Sequence, residues 1–286
     1  MRGYLPDFEL RQASGLADAL AVLSREPGSW RVFAGGTDLM VLLEAGKLPP
    51  SRYLSLWNVS ELRGVLVTAT HVSIGALTTY TDVLADPTLS SEFPLLGAAA
   101  RETGGLATQN RGTIGGNIAN ASPAADTPPA LLVYDAELEL LSARGTRVVP
   151  YDRFHKGYKV MDLAPDEIIG RVRLARGRSG WVERYRKVGT RRAQAISKVC
   201  FAAGARIEAG VAKDVRIALG SVAPTVVRCR TAEAAIRGQR LAPGTIAVAA
   251  QQLLKDIAPI DDIRSTAAYR RRVAQNLLQE FLREHA

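Results

Sequence analysis

Two cysteines, Cys200 and Cys229, are all that the sequence contains. They cannot build a disulfide framework, a cysteine-only zinc site or an iron–sulfur cluster. A reducing, cytoplasmic setting fits them best. Histidine is almost as scarce, with only His71, His155 and His285. A multi-histidine metal centre is therefore not expected, and no Gly-x-Ser-x-Gly elbow is there to present a serine to any of them. No catalytic side chain and no metal ligand is assigned. Aromatic residues make up 6% of the chain, too few to interleave with basic residues along a nucleic-acid groove. No run of eighteen apolar residues occurs, so no membrane span is expected. Asp7 and Glu9, with no apolar stretch around them, argue against a secretory signal. Neither Gly-x-Gly-x-x-Gly nor Gly-x-x-x-x-Gly-Lys-Ser/Thr is present, which excludes the usual dinucleotide and P-loop phosphate devices.

What is there suits a globular protein of one large domain or two to three small ones. The chain has 286 residues, 47% apolar and 23% charged, enough to bury a core. Its charge is unevenly placed. Residues 1–142 carry 9 basic and 15 acidic side chains, a net of −6; residues 143–286 carry 28 and 13, a net of +15. The densest stretch runs from Arg171 to Arg192 and holds Arg171, Arg173, Arg176, Arg178, Arg184, Arg186, Lys187, Arg191 and Arg192 against Glu183 alone. Such a band can meet phosphates, an acidic partner or an anionic cofactor, or simply be a solvated surface.

Three regions follow from periodicity. In residues 1–60 a strand and turn lead to a helix with Ser14 as N-cap and Leu16, Ala19, Leu20 and Leu23 at helical spacing. Gly28 closes it. Trp30–Ala34 is expected as a strand, Asp38–Ala45 as a helix and Tyr53–Leu56 as a strand. In residues 61–175, Val65–Thr68 and Val72–Gly75 read as a hairpin, and Thr79–Ala85 and Phe93–Thr103 as helices. Ile114–Ala119 reads as extended, and Pro123–Val133 as a helix with early prolines. Ala136–Leu141 and Thr146–Val149 read as paired strands. After a linker at Arg176–Gly180, strands are expected at Val182–Val188, Ser197–Ile207 and Val215–Ser221. Helices follow at Ala232–Arg237, Ile246–Ile257 and Thr266–Arg283. Strands followed by helices predict an α+β unit with its helices on one face of the sheet.

Two glycine loops stand out. The first is Val32-Phe-Ala-Gly-Gly-Thr-Asp-Leu-Met40, a strand entering paired glycines and then a helix. Gly35 and Gly36 let backbone N–H groups approach an anion, and Thr37 adds a hydroxyl. A simple turn with a helix cap would also explain this loop alone. The second is Gln109-Asn-Arg-Gly-Thr-Ile-Gly-Gly-Asn117, followed within ten residues by Asn120, Ser122 and Asp126. It has too many small and hydrogen-bonding residues for a core and suits a polar ligand. Two such nests, about eighty residues apart, suit a diphosphate gripped from two sides.

Ala34-Gly-Gly-Thr-Asp-Leu39 and Thr113-Ile-Gly-Gly-Asn117 with Asp126 resemble the two FAD-pyrophosphate loops of the medium, flavin-binding subunit of molybdenum hydroxylases, the xanthine dehydrogenase and carbon monoxide dehydrogenase family. Further matches run in order along nearly the whole chain: Asp166-Glu-Ile-Ile169, Lys187-Val-Gly-Thr-Arg191 with Ala195-Ile-Ser-Lys198, and Pro259-Ile-Asp-Asp-Ile-Arg-Ser265 with Tyr269-Arg-Arg271. The resemblance implies an α+β fold. Residues 1–175 would form a two-lobed FAD-binding domain of the vanillyl-alcohol oxidase (PCMH) type, with lobes at about 1–60 and 61–175. Residues 176–286 would form the C-terminal domain of CO dehydrogenase flavoproteins, a three-stranded sheet with a helical bundle.

The resemblance also implies roles. FAD would sit on this chain, and the molybdenum cofactor and iron–sulfur clusters on large and small partner subunits, in a heterotrimer or a dimer of heterotrimers. This chain would collect electrons from the clusters and hand them to an external acceptor. Backbone N–H groups at Gly35, Gly36, Gly115 and Gly116 would hold the pyrophosphate, flanked by Phe33, Ala34, Asp38, Leu39 and Ile114. Thr37, Thr113 and Asn117 would donate from their side chains. Asp126 would meet a polar group of the cofactor, and Ile169 would pack at it. Lys187 would lie near the isoalloxazine and raise its potential. Two other readings compete: a free-standing flavin oxidase and a basic nucleic-acid-binding protein. The first lacks a histidine or tyrosine placed as a flavin anchor or substrate base. The second lacks a readout motif.

Overall fold

A computed structural model describes residues 8–48, 51–191 and 194–286. The strand expected ahead of the first helix is present at Glu9–Gln12, and Arg192 of the basic stretch lies outside the described residues. The first unit is a parallel three-stranded sheet in the order β1-β3-β2, from β1 (Glu9–Gln12), β2 (Trp30–Phe33) and β3 (Arg52–Ser55). Helix α1 (Leu16–Arg25) buries Ala19, Val22 and Leu23 beside Trp30 and Leu54. Its N-cap is Gly15 rather than Ser14, and the Glu61 carboxylate accepts the Leu16 N–H at 3.1 Å instead. Helix α2 (Leu39–Glu44) carries the crossover from β2 to β3. The first glycine loop therefore sits at the carboxyl end of a parallel strand, where open α/β sheets place their ligands.

The second unit is an antiparallel sheet in the order β4-β5-β10-β6-β7. Its strands are β4 (Val65–Val67), β5 (His71–Gly75), β6 (Glu137–Ser142), β7 (Gly145–Pro150) and, beyond a small hairpin of β8 (His155–Gly157) and β9 (Val160–Met161), β10 (Ile168–Ala175). Helices α3 (Tyr80–Ala85), α4 (Pro87–Glu92), α5 (Pro94–Glu102), α6 (Leu106–Gln109), α7 (Ile114–Ala119) and α8 (Pro128–Val133) lie between β5 and β6 in sequence. Two expectations fail here. Ile114–Ala119 is a helix, not extended. Thr113 caps it by accepting the Gly116 N–H, and its glycines are required because a Cβ on Gly115 would lie 2.5 Å from the Ala76 Cβ. Packing has overruled the glycines' poor helix propensity. Only Pro128–Val133 of the expected 123–133 helix is helical. The carbonyls of Pro123, Ala124 and Asp126 are taken by Ser221, Ser197 and Tyr185, on or beside the C-terminal sheet, so they make no helical bonds.

That third sheet is a meander of β11 (Trp181–Val188), β12 (Val199–Glu208), β13 (Val211–Gly220) and a short β14 (Val227–Arg228). It has four strands rather than three, because Val227 and Arg228 pair with Leu219 and Ala218. Alternate residues face opposite sides. Val199, Phe201, Ala203, Val215, Ile217 and Leu219 pack under helices α9 (Arg230–Ile236), α10 (Pro243–Asp256) and α11 (Ala267–Arg283). The other face is built from small residues. Ala202 and Ala218 join the core that contains α8, and a Cβ on Gly204 would lie 3.3 Å from Val133. Small side chains there let the sheet close directly onto α8. Tyr185 and Lys187 pair with Ala202 and Cys200 and so share this inward face.

Much of the basic stretch is neutralised within the chain. Arg176 pairs with Glu92, Arg178 with Glu183, Arg173 with Glu137 and Glu139, and Arg184 with Glu280 and Glu284. Arg270 on α11 is buried. Its Nη1 donates at 2.8 Å to the carbonyls of both Lys198 and Ser221, and its Nη2 donates to Asp262 at 2.7 Å. Arg270→Ala strands two carbonyls and a carboxylate. It is expected to cost about 3 kcal/mol, read as a lowered denaturation midpoint with unchanged m-value.

Candidate functional site

The two glycine loops meet. A Cβ on Gly35 would fall 1.7 Å from the Arg111 carbonyl oxygen, so only glycine lets the first loop lie against the second. Gly36 has φ +78, and a Cβ there would strike the Phe33 ring, which lies beneath it. A Cβ on Gly116 would come within 3.7 Å of Ala34. Backbone bonds fix the second loop from below: Ile114 N–H donates to Thr78, Gly115 N–H to Ala76 and Gly116 N–H to the Thr113 hydroxyl.

These bonds sort the sequence-predicted residues. The N–H groups of Gly115 and Gly116 are already spent on protein acceptors. Ile114 is wholly buried in the core. The N–H groups of Gly35 and Gly36 have no acceptor among the described residues. Thr113 accepts through its oxygen and keeps its proton to donate. Asn117 accepts the Thr127 hydroxyl through Oδ1, which leaves its NH2 free. Thr37 and Leu39 are half-buried, and Asp38 is exposed at the start of α2. Ile169 is buried in β10.

Asp126 and Lys187 come together although sixty-one positions separate them. Lys187 Nζ donates to Asp126 Oδ2 at 2.8 Å and to the Glu102 carbonyl at 2.8 Å, and the two side chains are 5% and 11% exposed. A buried charge needs such a partner. The pair is not saturated. Oδ1 of Asp126 is buried with no hydrogen-bond partner, and one of the three Lys187 N–H groups is unaccounted for. Burial pushes the Asp126 carboxyl up to about 6, against the pull of the Lys187 ammonium. Burial, reinforced by the Asp126 charge, also pushes up Tyr80, Tyr185 and the Cys200 thiol, so these stay protonated. No group of three or more metal-ligating side chains occurs among the described residues.

Sequence reasoning missed the groups behind this pair. Tyr185 Oη donates to the Asp126 carbonyl at 3.0 Å, and the Cys200 thiol donates to Tyr185 Oη at 3.1 Å. Tyr185 could have been noticed as the residue two before Lys187 on a strand, hence on the same face. The small hairpin also approaches. Lys159 on its turn donates to Asn120, and His155 Nε2 lies 3.0 Å from the Ile118 carbonyl oxygen.

Comparison with known proteins places this geometry. Residues 6–176 match the FAD-binding domain in molybdopterin dehydrogenase, and residues 184–285 the CO dehydrogenase flavoprotein C-terminal domain. The chain is 32% identical to the xanthine dehydrogenase FAD-binding subunit of Escherichia coli O157:H7, covering 96% of this chain and 94% of that one. It is 32% identical to the glyceraldehyde dehydrogenase medium chain of Sulfolobus acidocaldarius, covering 99% and 100%. Its fold superimposes, with a TM-score of 0.93 at 28% identity, on a chain of the carbon monoxide dehydrogenase of Hydrogenophaga pseudoflava that lacks the Mo-pyranopterin moiety of the molybdenum cofactor, covering 97% and 96%.

The raised Asp126 carboxyl has a consequence for stability. A folded-state value above the ordinary 3.8 means that the stability this group contributes is present at low pH and is lost as the pH rises through about 6. Between about pH 4 and pH 6 the native chain should therefore lose stability relative to Asp126→Asn. Paired thermal melts across that window check it, and a constant difference between the two would contradict it.

Proposed function

The chain belongs to the family of FAD-binding subunits of molybdopterin dehydrogenases, and from that footing we propose that it takes electrons from iron–sulfur clusters of a small partner and passes them to an external acceptor. The oxidised substrate would bind a large partner that carries the molybdenum cofactor, in a cytoplasmic heterotrimer. The two cysteines of this chain are both buried and cannot hold a cluster, so the relay needs other chains. Residues 1–175 would be the FAD-binding domain and 176–286 the C-terminal domain.

The residues present fit FAD. A diphosphate needs convergent donors and no side chain in the way. The unspent N–H groups of Gly35 and Gly36, the Thr113 hydroxyl and the Asn117 amide supply the donors. Gly35 and Gly36 supply the clearance. The single observation that carries the reading is the orphaned Oδ1 of Asp126 beside a lysine with a spare N–H. A buried, unpartnered carboxylate oxygen is costly unless a ligand completes it.

FAD, when bound, supplies one- and two-electron chemistry. This chain's residues do the rest. Asp126 Oδ1 would accept a hydrogen bond from the cofactor and orient it. Lys187 would place positive charge beside the ring system, which favours the reduced, more negative form. Thr113 and Asn117 would hold the phosphates. Ile169 and Phe33 would exclude water from the loops.

The first experiment is an absorption spectrum of the purified chain and of its complex, with any released cofactor identified. Stoichiometric FAD is expected. Gly35→Ala should abolish its retention, because the new methyl drives the two loops apart; retained FAD would remove the pyrophosphate from these loops. Lys187→Met should lower the flavin midpoint potential and Asp126→Asn should raise it. Shifts of the same sign would contradict the charge argument.

A further inference from the structure

The segment from Pro123 to Asp126 has no regular structure of its own. Donors on and beside the C-terminal sheet hold it instead. The Ser221 N–H donates to the Pro123 carbonyl at 2.7 Å. The Ser197 hydroxyl donates to the Ala124 carbonyl at 3.3 Å. The Tyr185 hydroxyl donates to the Asp126 carbonyl at 3.0 Å, and Lys187 takes the Asp126 side chain. Three carbonyls and one carboxylate of a four-residue segment are thus fixed by β11 and by the residues at the ends of β12 and β13.

Each donor is itself constrained. A hydroxyl has one proton. The Tyr185 proton goes to the Asp126 carbonyl at 3.0 Å, and the Cys200 thiol lies 3.1 Å from Tyr185 Oη and 3.9 Å from the same carbonyl. Ser221 has φ +65, the left-handed region that non-glycine residues rarely adopt. It stays there because its N–H, its hydroxyl and its carbonyl are all engaged, by Pro123, Ser197 and Arg270. Arg270 binds the carbonyls of Ser221 and Lys198, and Lys198 is adjacent to Ser197. Asp262 orients Arg270 at 2.7 Å. The row of donors is therefore anchored to α11.

We propose that Tyr185 is a positioning residue of the cofactor site: it fixes the main chain of Asp126 while Lys187 fixes the side chain, and together they aim Asp126 Oδ1 and the spare Lys187 N–H at the cofactor. This rests on the reading that Asp126 and Lys187 face FAD. Tyr185 touches neither cofactor nor substrate and acts through the pair. Without its hydroxyl, the Asp126 carbonyl loses a buried bond and the segment can rotate. The Lys187 charge is then less well placed to favour the reduced flavin.

The test is the flavin midpoint potential of the assembled complex with Tyr185→Phe, Lys187→Met and the double variant. Tyr185→Phe is expected to retain stoichiometric FAD and to lower the reduced-to-oxidised ratio about fivefold at a fixed potential, the worth of one such hydrogen bond. That corresponds to about 20 mV for a two-electron couple. The double variant should fall no further than Lys187→Met alone, because the effect passes through Lys187. Hydrogen exchange at residues 123–127 of the cofactor-free chain should speed up in Tyr185→Phe. If Tyr185→Phe does not fold, Ser197→Ala, one carbonyl along, decides with a shift of the same sign. An unchanged potential in the variant used, with FAD bound, overturns this proposal alone, and so does an additive double variant. A wild-type complex that holds no FAD overturns the cofactor reading and this proposal with it.

Discussion

The ion pair between Asp126 and Lys187 is the contact on which the arrangement turns. It joins a loop of the N-terminal part to a strand of the C-terminal sheet, and both side chains are buried. A lone buried charge costs several kcal/mol, so each group requires the other. The requirement reaches outward. The sheet can deliver Lys187 to Asp126 only if its inward face lies close to α8, and on that face β12 and β13 carry the small residues Cys200, Ala202, Gly204, Ala218 and Gly220. A larger side chain at these positions would hold the sheet away and separate the charges. The alanine and glycine content of β12 and the placement of the pair are one constraint.

The same economy explains the arginines. By composition the C-terminal half looks like a surface for an anionic partner. In the folded chain Arg176, Arg178 and Arg184 are joined to glutamates from other elements, and Arg270 to Asp262 and two carbonyls. Arginine suits this work because its planar fork donates in several directions at once. Arg228, bonded to Asp135, Glu233 and the Leu132 carbonyl, does the same at the end of α8. Net charge reports on partners only after the internal pairs are set aside.

What could be read in the sequence divides along physical lines. Long periodic elements were legible: α1, α5, α10 and α11, and the paired strands β6 and β7, follow from hydrophobic spacing alone. The glycine loops were legible as loops, because Gly35 and Gly36 sit between a strand and a helix in a pattern that serves backbone approach. What was not legible depends on contacts distant in sequence. Ile114–Ala119 looks like a poor helix until Ala76 is known to press on Gly115. Residues 123–127 look like a helix start until three of their carbonyls are seen to be taken by Ser221, Ser197 and Tyr185. Motif resemblance pointed to Asp126 and Lys187 separately. That they form a pair, with a free oxygen and a free N–H left over, is visible only in three dimensions.

That residue of unsatisfied chemistry bears on how the two parts of the chain depend on each other. The loops by themselves offer donors and clearance. The C-terminal sheet by itself offers a lysine with no counter-charge. Only together do they present a carboxylate oxygen and an ammonium proton side by side in a dry setting, where electrostatic effects are strongest. Tyr185, Ser197 and Ser221 then hold the acid's main chain still. The parts come from β11, from the ends of β12 and β13, and from a loop sixty-one positions upstream of Lys187. Ser221 and the neighbour of Ser197 are in turn bound through their carbonyls by Arg270 on the last helix.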